Sequence, residues 1–249
     1  MRFRITFNTE RGALRLPIHY NHLIQGAIYA NLDRVTADFF HDRGFEFGKR
    51  RFKLFTFSRL MGEYHLDKES GEIVFIGGVR LIVSSPSHEF CSSLINCILG
   101  DGHIRLGSQQ VEVVGIEAFE PTPTSDQVTL RVLSPVVTYS TMTRADGRKY
   151  TCYFQPGEQD FQSQVFENLK KKYEIIYGQP APVAPMQLRP LGQPRMNLVM
   201  YENTVIKGYT CRLALSCPKE LIKVGLDAGL GAKNSQGFGC VEMEEVVAC

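Results

Sequence analysis

The chain opens on an alternating strand pattern, "RFRITF", and then changes period. In "YNHLIQGAIYANL" the apolar positions Leu23, Ile24, Ala27, Ile28 and Leu32 recur at the three- and four-residue spacing of a helix with one buried stripe. "RFKLFTFS" restores the strand pattern, and "EIVFIGGVRLIVSS" sets Ile73, Phe75, Val79, Leu81 and Val83 on one face of a further strand. Pro86 is placed to start a helix through "SHEFCSSLINCIL", which Gly100 would end. "VEVVGIEAF" reads as the closing strand of this half, with "HIRLG" able to pair with it first. The predicted order is β-α-β-β-α-β.

"EPTPTSD", Glu120 to Asp126, breaks the periodicity and is the best linker in the chain, which predicts domains over 1–121 and 122–249. Beyond it "QVTLRVLSPVV" is a strand, and "EQDFQSQVFENLKKKYEIIYG" a helix with Phe161, Val165, Leu169 and Tyr173 stacked at four-residue spacing and Gly178 closing it. A loop holding Pro180, Pro182, Pro185, Pro190 and Pro194 leads to a hairpin, "MNLVMY" and "TVIKGYTCRLALSC", that turns near Glu202 and Asn203. A helix in "PKELIKVGLDAG" and a final strand in "CVEMEEVVA" repeat the first half's order. The fold class is therefore α+β: two tandem ferredoxin-like (RRM-like) domains, each β-α-β-β-α-β on an antiparallel sheet. Such sheets are a common RNA platform, but the fold by itself assigns no function.

Composition narrows the field. At 249 residues and 43% hydrophobic content the chain can bury two ordinary cores. No apolar run reaches the roughly 18 residues of a membrane span, and "MRFRITFNTERG" is charged where a signal peptide would be apolar, so a cytoplasmic protein with no membrane partner is expected. The seven Cys form no CxxC and have no His at ligand spacing, which fits buried thiols and no metal. Glu242, Glu244 and Glu245 lie on a strand, where the period-2 members Glu242 and Glu244 would share only a solvent face; they make a poor metal site, and no cofactor is implied. Net charge is only +2, so polyanion binding must rest on local clusters. Lys49-Arg50-Arg51 with Lys53, and Arg144 with Arg148-Lys149, flank aromatics or glycine; Lys170-Lys171-Lys172 reads as a solvated helix face.

"GLGAKNSQGFG" places Gly229, Gly231, Gly237 and Gly239 around Lys233, Asn234 and Ser235. It is not a Walker A loop, since Lys233 precedes the second glycine pair, and not a dinucleotide fingerprint, since Asn234 stands where glycine is needed. One reading is a helix stop and a turn into the last strand. The other is a loop of backbone N–H groups, with a cation, that follows a phosphate chain.

That stretch before a final strand resembles the C-terminal glycine-rich signature of the repeat-associated mysterious protein (RAMP) superfamily. "LPIHYNHLIQGAIY", "KLFTFS" and "LSPVV" are similar, in order, to its CRISPR-associated pre-crRNA endoribonuclease, Cas family six. The resemblance implies tandem ferredoxin-like domains and metal-independent cutting within CRISPR repeat RNA. It also implies a catalytic Tyr, His and Lys, which fall here on Tyr29, His41 and Lys53.

The chemistry asks for those types. Metal-free cleavage uses the neighbouring 2′-OH as nucleophile and leaves a 2′,3′-cyclic phosphate and a 5′-hydroxyl. Histidine can take or give the proton, lysine can meet the developing charge, and tyrosine suits orientation. On one straight helix Tyr29 and His41 would stand about 18 Å apart on different faces. A shared site therefore requires a bend at "NLDRV", with Asn31 ending one helix and Asp33 capping a second that carries His41 near its end. His41 could also be a surface cation at a helix C-terminus, and Tyr29 could simply pack. His19 and His22, at the start of the first helix, are the rival histidines. Lys49, Arg50, Arg51, Arg144, Arg148, Lys149 and Lys233 would hold the RNA backbone on a surface shaped by the glycine loop. The alternatives are a non-catalytic repeat-RNA-binding subunit of a CRISPR interference complex, and a double-ferredoxin RNA binder unrelated to CRISPR. The repeat's sequence and any homodimer are not written in the chain.

Overall fold

The structure, a computed structural model, describes residues 1–8 and 12–244. The first half contains β1 (Arg2–Asn8), β2 (Ala13–Pro17), α1 (Asn21–Ala30), α2 (Arg34–Asp38), β3 (Phe45–Phe47), β4 (Arg50–Phe52), β5 (Thr56–Phe57), β6 (Met61–Asp67), β7 (Glu72–Ser84), α3 (His88–Asp101), β8 (His103–Leu106) and β9 (Gln109–Phe119). β1 and β2 run in line against β7, while β5 and β6 pair with it as well; β9 lies on the other side of β1, with β8 beyond it. All pairings are antiparallel. Phe7, Phe75 and Val83 from the strands, Ile24 and Ile28 from α1 and Phe90 and Leu94 from α3 are buried in one core, as the two periodicities require.

Three boundaries differ from the sequence pattern, each for a local reason. "RFKLFTFS" is not one strand: the chain turns at Gly48, φ 58°, so that β4 pairs back on β3 as a small hairpin, and Leu54, at a left-handed φ of 47°, separates it from β5, which is only two residues long. Helix α3 runs through Gly100 and ends at Gly102, whose φ of 68° suits the left-handed cap. At its other end Ser87 accepts a hydrogen bond from the Phe90 N–H, so Pro86 stands outside the helix.

The second half contains β10 (Gln127–Val132), β11 (Tyr139–Thr143), β12 (Lys149–Tyr153), α4 (Gln159–Tyr177), β13 (Gln187–Tyr201), β14 (Thr204–Ser216), α5 (Lys219–Ala228) and β15 (Val241–Met243). Its sheet has the order β13-β14-β10-β15, the ferredoxin-like arrangement, with Leu130, Leu213 and Leu215 packed against Phe161, Leu169 and Leu221 of the two helices. The β11–β12 hairpin is an insertion that the pattern did not announce. Pro190 and Pro194 belong to β13, not to a loop; β13 is an edge strand with a bulge between Leu191 and Arg195, where a missing N–H is tolerated. Of "CVEMEEVVA", Glu245 to Ala248 fall outside the described residues.

The two halves are bolted together by polar contacts. Arg2, 1% exposed, donates from Nη2 to the carbonyls of Leu226 at 2.8 Å and Val241 at 2.5 Å. Ser84 Oγ donates to Leu226 O, Thr56 Oγ1 to Phe238 O and Ser134 Oγ to Phe57 O. Among the described residues no helix is long and apolar enough to cross a membrane, and the six described cysteines are unpaired.

Candidate active site

The site begins with the break between two helices. α1 ends at Ala30, with Asn31 as its C-cap; Asp33 accepts from the Thr36 N–H at 3.0 Å and starts α2. α2 passes into a wider π turn, Phe39–Arg43, which Gly44 ends at φ 67° with its N–H on Phe39 O at 2.7 Å. A Cβ at Gly44 would lie 2.6 Å from Phe52 O, so glycine is what lets β4 come close. The bend brings Tyr29 and His41 together: their rings meet edge to face at 5.2 Å between centroids, and Tyr29 packs in the same way on Phe55 at 5.7 Å.

Lys53, at the end of the β3–β4 arm, donates from Nζ to the backbone carbonyl of His41 at 2.6 Å. The ammonium is thus tied to the backbone of the residue that carries the imidazole. Partial burial lowers the Lys53 pKa, Asp42 opposing and Arg51 adding to the fall. The Tyr29 hydroxyl donates to Phe40 O at 3.2 Å, and burial, with Tyr201 and Asp42 nearby, raises its pKa well above the ordinary tyrosine value. That hydroxyl is therefore no base near neutrality.

Asp42 was absent from the sequence-based set. Its Oδ1 lies 2.6 Å from His41 Nδ1, a contact that also lowers the Asp42 pKa. A carboxylate there holds the proton on Nδ1 and leaves Nε2, on a side chain 69% exposed, as the nitrogen that can exchange a proton with a bound molecule. The pair is adjacent in sequence, and the only clue was an acid beside the candidate histidine. His19 and His22, the rivals, are exposed at the start of α1 and share none of these contacts.

Between the β3–β4 arm and the second half lies a cleft of about 850 Å³. Arg50, Arg51 and Lys53 line one wall, Gly231, Lys233, Asn234 and Ser235 another, and Tyr139 and α4 the rest. Lys233 sits with φ 62° and its Nζ 5.7 Å from the Tyr139 ring centroid, its pKa lowered by burial. Lys49 is exposed just outside this lining, and Arg144, Arg148 and Lys149 project at the far end of the β11–β12 hairpin, where Arg144 stacks on Tyr150 at 5.3 Å.

The glycine stretch packs instead of lying open. An added Cβ would stand 2.6 Å from Asn234 Nδ2 at Gly229, 2.4 Å from Val137 O at Gly231, 2.5 Å from the Phe57 ring at Gly237 and 2.0 Å from Leu230 O at Gly239. Several backbone N–H groups are spent inside the fold: Leu230 on Gly239 O, Ala232 on Val137 O, and Gly239 on Pro135 O. Asn234 is used up as well, donating from Nδ2 to Leu230 O at 2.9 Å and Phe238 O at 3.0 Å. The two readings of this loop thus divide by residue: the glycines and Asn234 build it, while Lys233 and Ser235 face the cleft.

Lys172 is the larger surprise. Lys170 and Lys171 reach Glu167 on the helix surface, but Lys172, three residues beyond Leu169 and on the edge of the apolar stripe, is buried. Its Nζ donates to Ala228 O at 3.0 Å, Gly229 O at 2.7 Å and Asn234 Oδ1 at 2.7 Å. Burial pulls its pKa down to about 7, whereas three oxygens, two of them at the negative end of α5, favour the charged form. Glu242 and Glu244 are taken by Arg131 and Arg212, Glu245 lies outside the described residues, and among the described residues no three His, Cys, Asp or Glu side chains converge as metal ligands.

Two family models tile this chain: CRISPR-associated protein Cas6, N-terminal, matches residues 15–117, and CRISPR associated protein Cas6, C-terminal, residues 118–243. The chain is 28% identical to the CRISPR-associated endoribonuclease Cas6 1 of Methanocaldococcus jannaschii, over 97% of this chain and 92% of that protein. It is 26% identical to the CRISPR-associated endoribonuclease Cas6 of Pyrococcus furiosus, over 98% of this chain and 90% of that one. A solved structure of a CRISPR associated protein Cas6 superposes with a TM-score of 0.80 at 26% identity, covering 98% of this chain and 99% of its own.

Proposed function

Because the chain belongs to the CRISPR-associated protein Cas6 family, we propose that it is an endoribonuclease that cuts CRISPR repeat RNA in the precursor transcript. The cut needs no metal: the 2′-OH attacks the adjacent phosphorus, the P–O5′ bond breaks, and a 2′,3′-cyclic phosphate and a 5′-hydroxyl remain. The observation that carries this reading is the meeting of Lys53 Nζ with the His41 carbonyl beneath a ring held by Tyr29 and Asp42.

In this mechanism His41 Nε2 moves the proton of the 2′-OH or of the leaving 5′-oxygen. Lys53, with one N–H on His41 O, turns its remaining donors to the phosphate oxygens, where charge grows as the phosphorane forms. Tyr29, its hydroxyl held by Phe40 O, fixes the plane of the imidazole and moves no proton. Arg50, Arg51 and Lys233 hold the RNA backbone along the cleft, and Lys49, Arg144, Arg148 and Lys149 extend that grip beyond it.

The test is repeat RNA incubated with the protein in EDTA beside the same RNA carrying 2′-deoxyribose at the cut site. Cleavage of the first alone, with a product bearing a 2′,3′-cyclic phosphate, supports the reading. Binding of both without cleavage would instead make the chain a repeat-RNA-binding subunit. His41→Ala is expected to slow cutting by about 10²–10⁴-fold with affinity nearly intact, and an unchanged rate removes His41 from the mechanism.

A further inference from the structure

α1 carries Asn21, Gln25 and Tyr29 at four-residue spacing, so the three form one ridge along the helix. Asn21 Nδ2 donates to Gln236 O at 2.9 Å and Gly237 O at 3.2 Å, and Gln25 Nε2 donates to Ser235 O at 2.7 Å. Gln25 Oε1 accepts from the Tyr201 hydroxyl at the end of β13. The helix that presents Tyr29 therefore rests on carbonyls of the 229–239 loop. From the opposite side the loop is gripped by Lys172, whose three donors are all engaged, one through Asn234 and so on to Leu230 O and Phe238 O.

A buried ammonium whose partners are all neutral oxygens is expensive, and an apolar side chain of the same length would serve packing alone at no such cost. Its distinguishing capacity is to gather three separate acceptors, two backbone carbonyls and one amide oxygen, around one point. We propose that Lys172 is a positioning residue: by fixing the shape of the 229–239 loop, it sets the seat of α1 and hence the placement of Tyr29 on His41. The consequence for catalysis rests on the reading of Tyr29 and His41 given above; the consequence for the loop does not.

Two readouts test this on the full chain. Lys172→Met keeps length and removes every donor; hydrogen exchange of the 229–239 amides is expected to quicken by about tenfold or more while β1 and β7 stay protected. Single-turnover cleavage at saturating repeat RNA is expected to fall by about 10–100-fold with affinity changed less than threefold, as misplacement of reacting groups predicts. Gln25→Met removes one of the hydrogen bonds that tie the loop to α1, those of Asn21 remaining, without burying a charge and is expected to lower the same rate. The double variant should then lose little beyond the greater single loss, because both act on one linkage. Lys172→Gln, neutral and still able to donate, replaces the methionine variant if that one does not fold, with an intermediate loss expected. Unchanged exchange in the loop, or losses that multiply in the double variant, overturn the proposal. If the unmodified protein cuts no RNA, the nuclease reading fails, and the exchange data alone decide whether Lys172 holds the loop.

Discussion

Gly178 and Gly239 have nearly the same positive φ, 67° and 73°, yet different surroundings, and this separates two reasons for a glycine. A Cβ at Gly178 would meet nothing within 4 Å, whereas one at Gly239 would sit 2.0 Å from Leu230 O and 2.6 Å from Asn234 Nδ2. A left-handed backbone costs an alanine about 1.5 kcal/mol at either place. The contact at Gly239 is with backbone, which cannot rotate aside, so overpacking adds a penalty at the upper end of its usual range, about 3 kcal/mol. For a chain of this size each kcal/mol lowers Tm by about 2–4 °C, giving about 3–6 °C for Gly178→Ala and about 9–18 °C for Gly239→Ala. Differential scanning calorimetry of the two variants and the parent is the assay. Equal shifts would refute the close-approach argument and leave backbone conformation as the glycine's whole purpose.

Arg2→Met should strand the carbonyl of Val241 at about 1–3 kcal/mol, Leu226 O keeping its hydrogen bond from Ser84 Oγ, read as a lower urea midpoint. Asp33, held by Ser93 and Thr36, has its pKa lowered from 3.8 to about 2. The carboxylate's support for α2 is therefore complete above pH 3.8 and is lost as pH falls through about 2; Thr36 amide exchange against pH reports it, and Asp33→Asn, which still caps, should flatten the response. Replacing Arg144, Arg148 and Lys149 with Ala should weaken RNA binding and reduce the slope of log affinity against log salt by about 2, since each lost phosphate contact on a single strand removes about 0.7. An unchanged slope would take the hairpin off the RNA.

Much of the scaffold was legible because it follows from side-chain period. Ile24 and Ile28, Phe75 and Val79, and Phe161, Val165 and Leu169 all face inward as their spacing demands. The bend that unites Tyr29 with His41 was legible too, through the capping chemistry of Asn31 and Asp33. What escaped notice turned on long-range contacts. Lys172 looks like one of three surface lysines until α5 places carbonyls around it, 56 and 57 residues away. Asn234 seemed a polar donor for RNA, but Lys172 and two loop carbonyls claim its amide. Leu54 broke a strand through a backbone conformation that no leucine advertises.

The buried Arg2 has a temporal consequence. Its acceptor on Val241 lies 239 residues further along the chain, so the bolt can close only after Val241 has been made. The first sheet is complete once Phe119 has emerged, and closing so long a loop adds only slowly growing entropy but fixes the order of events. During synthesis the nascent chain carries Tyr29, His41 and Lys53 without the wall of the cleft that Lys233 supplies, and RNA affinity should therefore arrive in a late step, after the first sheet is already formed.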